Sequence, residues 1–219
     1  MNVTAQIEIV GEGHAHATKK DRANVVVWLS PLDEHTLRSV AAAASVTPPR
    51  LVQRDKTFVP HLLVVPAGTA VEFPNRDPFF HNVFSLFEGK RFDLGLYEAG
   101  TTRIVHFDRV GVSYIFCNIH PEMNAIVLAL KTPHYGISNA AGQISIPNVP
   151  EGRYTMQVFA EKSGLENLKK LTKTVTLSAQ DQSLGVIRVV QDGPPGPHKN
   201  KYGRDYDAPG SDYPANNLK

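Results

Sequence analysis

Two apolar, β-prone runs, Val112 to Phe116 and Asn124 to Leu130, bracket one short loop. The only cysteine of the chain, Cys117, stands where the first run ends. His120 follows three positions later and Met123 three after that, so one loop presents a thiolate, an imidazole and a thioether. A second imidazole comes from an upstream strand end, His81, in a His81-Asn82-Val83 triplet behind the aromatic pair Phe79-Phe80. Taken singly, Cys117 reads as a buried thiol, His120 as a loop histidine and Met123 as core filler. Taken together, in this order and on strand ends, they read as metal ligands. Sulfur ligands suit Cu(I) and imidazole also suits Cu(II), so such a site need not rearrange when one electron moves.

Two imidazoles and a thiolate in a trigonal plane, with a weak axial thioether, form a blue-copper electron-transfer site. The stretch from about residue 50 to 131 resembles the cupredoxins, the plastocyanin-like blue copper proteins. The Cys117-Asn-Ile-His120-Pro-Glu-Met123 loop looks most like the short loop of amicyanin. The resemblance implies a Greek-key β-sandwich holding one copper per chain on His81, Cys117, His120 and axial Met123. It also implies that Asn82 ties the two ligand loops together and that the carbonyl of Phe80 is a distant axial contact. Phe79, Phe80, Phe84, Ile119 and Pro121 surround the ligands in sequence, with Phe84 expected in the core and others forming an apolar collar or docking patch. Asp77, Asp93 and Glu122 read equally well as surface charges.

The remaining chain is also β-prone. Ala5 to Val10 alternates with period two, and Asn24 to Leu29 is a β-branched run. Pro31 to Ser45 suits a short helix or ordered loop. Leu51 to Phe58, a strand–turn–strand in VPAGTAVEF and Thr101 to Asp108 supply further strands. After Leu130 comes an antiparallel meander with turns at Asn139–Gly142 and Pro150–Gly152, where Gly142 and Gly152 supply permissive dihedrals. Asn139, Gly142, Ile144, Ile146, Val149, Pro150, Gly152 and Tyr154 resemble the signature of the carboxypeptidase regulatory-like domain, a transthyretin-like β-sandwich. Its last two strands are expected at Lys170–Leu177 and Leu184–Val190.

The expected fold class is therefore all-β: a cupredoxin sandwich at 48–131 plus a small transthyretin-like sandwich. The latter is assembled from 1–47 and 132–191 and split by the cupredoxin insertion; an extended cupredoxin sheet followed by an independent domain is the alternative. Residues 192–219, rich in Gly, Pro, Asn and Asp, read as a disordered or surface-wrapping tail with no assigned chemistry.

Composition narrows the function. A net charge of +2 in 219 residues gives no case for nucleic acid, and no run is apolar enough to span a membrane. One cysteine permits no internal disulfide. The start lacks a signal-peptide layout. The resemblance nevertheless implies periplasmic or other extracytoplasmic work, with a signal already removed. His14 and His16 form a pair that reads as a solvated loop rather than a second metal site. No nucleophile elbow, phosphate loop or dinucleotide motif occurs. The expected function is a non-enzymatic, single-electron copper carrier between a donor and an acceptor protein. Copper storage or chaperoning, the electron-input subunit of a copper oxidoreductase, and a degenerate adhesion domain are the alternatives.

Overall fold

The computed structural model describes residues 1–11, 22–33, 47–86, 89–193 and 198–206. His14, His16 and most of the expected 31–45 element lie outside the described residues. In chain order the elements are β1 (Val3–Gly11), β2 (Val26–Pro31), β3 (Val52–Arg54), β4 (Thr57–Val59), β5 (Leu62–Pro66), β6 (Thr69–Pro74), β7 (His81–Ser85), β8 (Phe92–Tyr97), β9 (Thr102–Phe107), β10 (Gly111–Cys117) and β11 (Asn124–Leu130). They continue with β12 (Tyr135–Ile137), β13 (Gln143–Ile146), β14 (Gly152–Phe159), helix α1 (Leu165–Lys170), β15 (Lys173–Leu177) and β16 (Ser183–Gln191). The chain divides into two compact units, one of Met1–Ser45 with Leu130–Gly196, the other of Val46–Ala129 with Pro197–Lys219.

In the first unit, β1 lies between β13 and β16, and a second sheet runs β12-β2-β14-β15. Period-two alternation buries Val3, Ala5 and Ile7 of β1, Ile144 and Ile146 of β13, and Tyr154, Met156 and Val158 of β14. The turn before β13 is built by Asn139, whose Oδ1 accepts the N–H groups of Ala141 and Gln143. Gly142 closes it at φ +81°, and a Cβ there would sit 2.6 Å from the carbonyl oxygen of Ile7. The Tyr154 hydroxyl donates to the Pro150 carbonyl at 2.8 Å, pinning the next turn. The strand expected from Lys170 starts at Lys173 because residues 165–170 coil into α1. Asp192 anchors that turn, accepting from the Gly164 N–H and the Asn167 side chain.

The second unit carries a sheet ordered β5-β11-β10-β7-β8, a β6–β9 pair and a β3–β4 hairpin. Alternation again sets the core: Val71 and Phe73, Val105 and Phe107, Ile115 and Cys117, and Ala125, Val127 and Ala129 form one buried cluster with Met123. Burying a side chain such as Phe73 or Phe107 stabilises by about 1.5–3 kcal/mol. β8 has no counterpart among the strands expected from the sequence. Gly95, at φ +66°, interrupts its apolar run, and its register against β7 shifts between Asn82 and Phe84.

Two outcomes follow from the first unit. Gly142→Ala destabilises it by about 1–3 kcal/mol in urea unfolding, because alanine must hold a left-handed φ against a backbone oxygen. His134 is 5% exposed, and its Nε2 has no partner. Burial, then the charge of the chain's N-terminus, holds its imidazole below the ordinary 6.5. The unfolded chain therefore binds the proton more readily, and stability falls as pH drops below about 6.5. His134→Phe flattens that part of the stability–pH curve, as thermal midpoints between pH 5 and 8 would show.

Candidate metal centre

Strand pairing brings the ligand candidates together. Cys117 pairs with Val83 across β10 and β7, and Phe116 with Phe84. His81 lies two residues before Val83, on the same inward face, so it meets the end of β10 where Cys117 stands. The loop after Cys117 then folds back: the Met123 N–H donates to the His120 carbonyl at 3.0 Å and the Cys117 N–H to the Met123 carbonyl at 3.1 Å. Met123 is thereby buried beside the sulfur's end of the core.

The Cys117 Sγ lies 3.6 Å from the Nδ1 of His81 and 3.6 Å from the Nδ1 of His120. A metal bonded at about 2.3 Å to sulfur and about 2.1 Å to nitrogen separates those atoms by about 3.6–3.8 Å in tetrahedral-to-trigonal geometry. The three ligand atoms lie within 4.8 Å of one another. Cys117, His81 and Met123 are each fully buried, whereas His120 is half-buried. The thiolate and two imidazoles, at this spacing, fit a single bound metal ion.

The electrostatics favour a thiolate here. Burial pushes the Cys117 thiol up, but the hydrogen bond with His81 and the backbone N–H groups of Ile119, Asn82 and His120 outweigh it and bring it below its usual value. Burial likewise opposes the charge on His81, yet its partners Cys117 and Asp77 raise its pKa overall. Burial, followed by the positive charges of His81 and Lys56, lowers that of His120.

Asp77 is the residue the sequence undervalued. It is 4% exposed, and its Oδ2 lies 2.8 Å from His81 Nε2. Its carboxylate also accepts the N–H groups of Asp55 at 2.6 Å and Lys56 at 3.1 Å. Those two residues form the β3–β4 turn, both at φ 54°, a left-handed conformation that costs non-glycine residues energy. The carboxylate thus holds a strained turn and orients the His81 imidazole, leaving its Nδ1 turned toward Cys117. Asn75 holds the preceding loop: its Oδ1 accepts the Asp77 N–H and its Nδ2 donates to the Phe79 carbonyl at 2.8 Å. An acidic residue four positions before a candidate histidine was the available signal.

The other expected residues divide. Asn82 links the ligand segments through its backbone, its carbonyl accepting the Asn118 N–H at 2.9 Å; its side chain instead donates to Asp93 at 2.7 Å. Phe84 is buried, as expected. Phe79 packs its ring 5.3 Å from His81 and 5.5 Å from His120. Phe80 is 56% and Ile119 40% exposed, so their side chains lie on the surface. Asp93 is not a free surface charge, since it joins Asn82 to Lys201.

No family model matches the chain, and no curated protein does. Among solved structures, it is similar to a purple cupredoxin from Nitrosopumilus maritimus at 23% identity, covering 37% of this chain and 99% of that one, TM-score 0.35. Amicyanin from Paracoccus versutus is 20% identical over 42% of this chain and 89% of its own, TM-score 0.36. A copper-containing nitrite reductase from Thermus scotoductus is 25% identical over 46% of this chain and 27% of its own, TM-score 0.37. The described residues are almost wholly β-strand, arranged in several sheets, and these three matches are at low identity and cover less than half of this chain.

Asp77→Asn removes the charged acceptor and destabilises the second unit by about 1–3 kcal/mol. It weakens metal binding at the Cys117 site by about 10–100-fold. Urea unfolding of the metal-free protein and a competition titration measure the two losses separately.

Proposed function

We propose that this chain is a mononuclear type 1 copper protein that carries single electrons between two redox proteins. The observation that carries the reading is the pair of 3.6 Å separations between Cys117 Sγ and the two Nδ1 atoms, at a buried strand end. Copper bound there supplies a one-electron Cu(II)/Cu(I) couple. Cys117 loses its proton on binding and His81 and His120 bind as neutral imidazoles. Met123, buried in the same cluster as Cys117, would supply a further, thioether ligand, and the chain itself would make and break no substrate bond. Asp77 keeps the His81 ring in one tautomer.

Burial of Cys117, His81 and Met123 favours a closed site over the exchangeable one a copper chaperone needs. Half-buried His120, with exposed Phe80 and Ile119 in the second unit, is the edge at which donor and acceptor would approach. The first unit is, in this reading, a transthyretin-like platform, split in sequence by the copper-binding unit, and the protein works outside the cytoplasm.

Cu(II) added to metal-free protein is expected to give an intense thiolate-to-copper absorption band at one equivalent, with narrow copper hyperfine splitting. Both disappear in Cys117→Ala. A colourless complex, or one unaffected by that substitution, overturns the proposal.

A further inference from the structure

The segment 198–206, in the glycine- and proline-rich C-terminal region, lies on the ligand loop of its own unit. The His198 ring stacks on Phe116, centroids 4.0 Å apart at 29°. Its Nε2 is 2.7 Å from the Pro121 carbonyl, which only accepts, so Nε2 carries the proton and donates. The Tyr206 hydroxyl donates to the carbonyl of Cys117 itself at 2.8 Å, and the Tyr206 ring packs edge-on against His198. The Lys201 N–H donates to Asn118 Oδ1 at 3.0 Å. The Lys201 ammonium reaches Asp93 Oδ2 at 2.9 Å, and Asp93 Oδ1 accepts from Asn82, the neighbour of His81. The strap therefore engages residues 117, 118 and 121 of one ligand segment directly and reaches the other through Asp93.

These contacts do not resemble those of an adventitious tail. Two of them end on backbone carbonyls of the 117–123 loop, whose outer residues Ile119, Pro121 and Glu122 are exposed and lack core packing. A loop of that kind opens locally unless something outside it ties it down. The segment itself is held by its own turn: Asn200 Oδ1 accepts the N–H groups of Tyr202 and Arg204.

We propose that residues 198–206 are a positioning clamp for the copper ligands, with His198 and Tyr206 as the residues that fix the Cys117–Met123 loop. The proposal rests on the copper reading for its consequence but not for its geometry. Tyr206 holds the carbonyl of the residue whose sulfur is the strongest ligand. His198 holds the carbonyl of Pro121, between His120 and Met123. Together they set the angle at which the thiolate, the second imidazole and the thioether meet.

Three full-length variants test it: Tyr206→Phe, which keeps the ring and loses the donor; His198→Phe, which keeps the stacking and loses the donor; and the double substitution. In the metal-free proteins, amide hydrogen exchange across residues 117–123 is expected to accelerate roughly tenfold per lost hydrogen bond, while the β6–β9 strands keep wild-type protection. In the copper-loaded proteins the thiolate-to-copper band and the copper spin-resonance parameters shift, and copper release to a chelator speeds up severalfold. Wild-type exchange in the loop of the double variant, within twofold, overturns the clamp. So does accelerated exchange with unaltered spectra and release, which would leave the segment structural only. If the unaltered chain binds no copper through Cys117, the electron-carrier reading fails by itself, and exchange in the metal-free proteins still decides whether His198 and Tyr206 hold the loop.

Discussion

The Cys117 sulfur is the point on which the second unit turns. It is buried in an apolar cluster, where a thiolate would be costly unless its charge were met. Two imidazoles and three backbone N–H groups meet it. Most of these groups are in turn fixed by something else: His81 by Asp77, Asn82 by β7, and the loop amides by the turn from His120 to Met123. The β10–β7 register exists in a form that sets Cys117 and His81 on one face. A slip by one residue would turn the sulfur toward the opposite side of the sheet.

Holding such a centre requires support at a distance. The β3–β4 turn contributes no ligand, yet its two amides, bent into a left-handed conformation, grip the carboxylate that orients His81. The arrangement is reciprocal, since the same carboxylate relieves the amides of that strained turn. On the other side, Asp93 collects Asn82, the Gly95 N–H and Lys201, so that β7, β8 and the C-terminal strap share one anion. Partners on several sides restrict how far His81 and the Cys117 loop can move.

What the sequence disclosed follows the range of the interactions. The Cys117, His120 and Met123 pattern is local, set by three-residue steps in one loop between two clear strand runs, and so it was readable. Alternation in Val71–Phe73 and Val105–Phe107 similarly announced β6 and β9. The role of Asp77 was hidden because it depends on a turn 21 and 22 residues earlier that carries no glycine. Strand β8 was hidden by Gly95 and a register shift, and α1 by its brevity. The strap has no apolar periodicity; its hold comes from single side chains on distant carbonyls, which no local pattern records. In the first unit, the Asn139 to Tyr154 motif was readable because its residues act on near neighbours. Asn139 and Gly142 make one turn, and Tyr154 closes on Pro150.

The most direct measurement is a crystal structure of the copper-loaded protein in oxidised and reduced forms, with the metal placed by anomalous scattering. The account predicts one copper between Cys117 Sγ and the Nδ1 atoms of His81 and His120. Met123 should be at longer range, the His81–Asp77 hydrogen bond intact, and the ligands nearly superimposable in the two forms. Copper bound elsewhere, bound through His81 Nε2 with Asp77 displaced, or accompanied by a ligand rearrangement on reduction would contradict it.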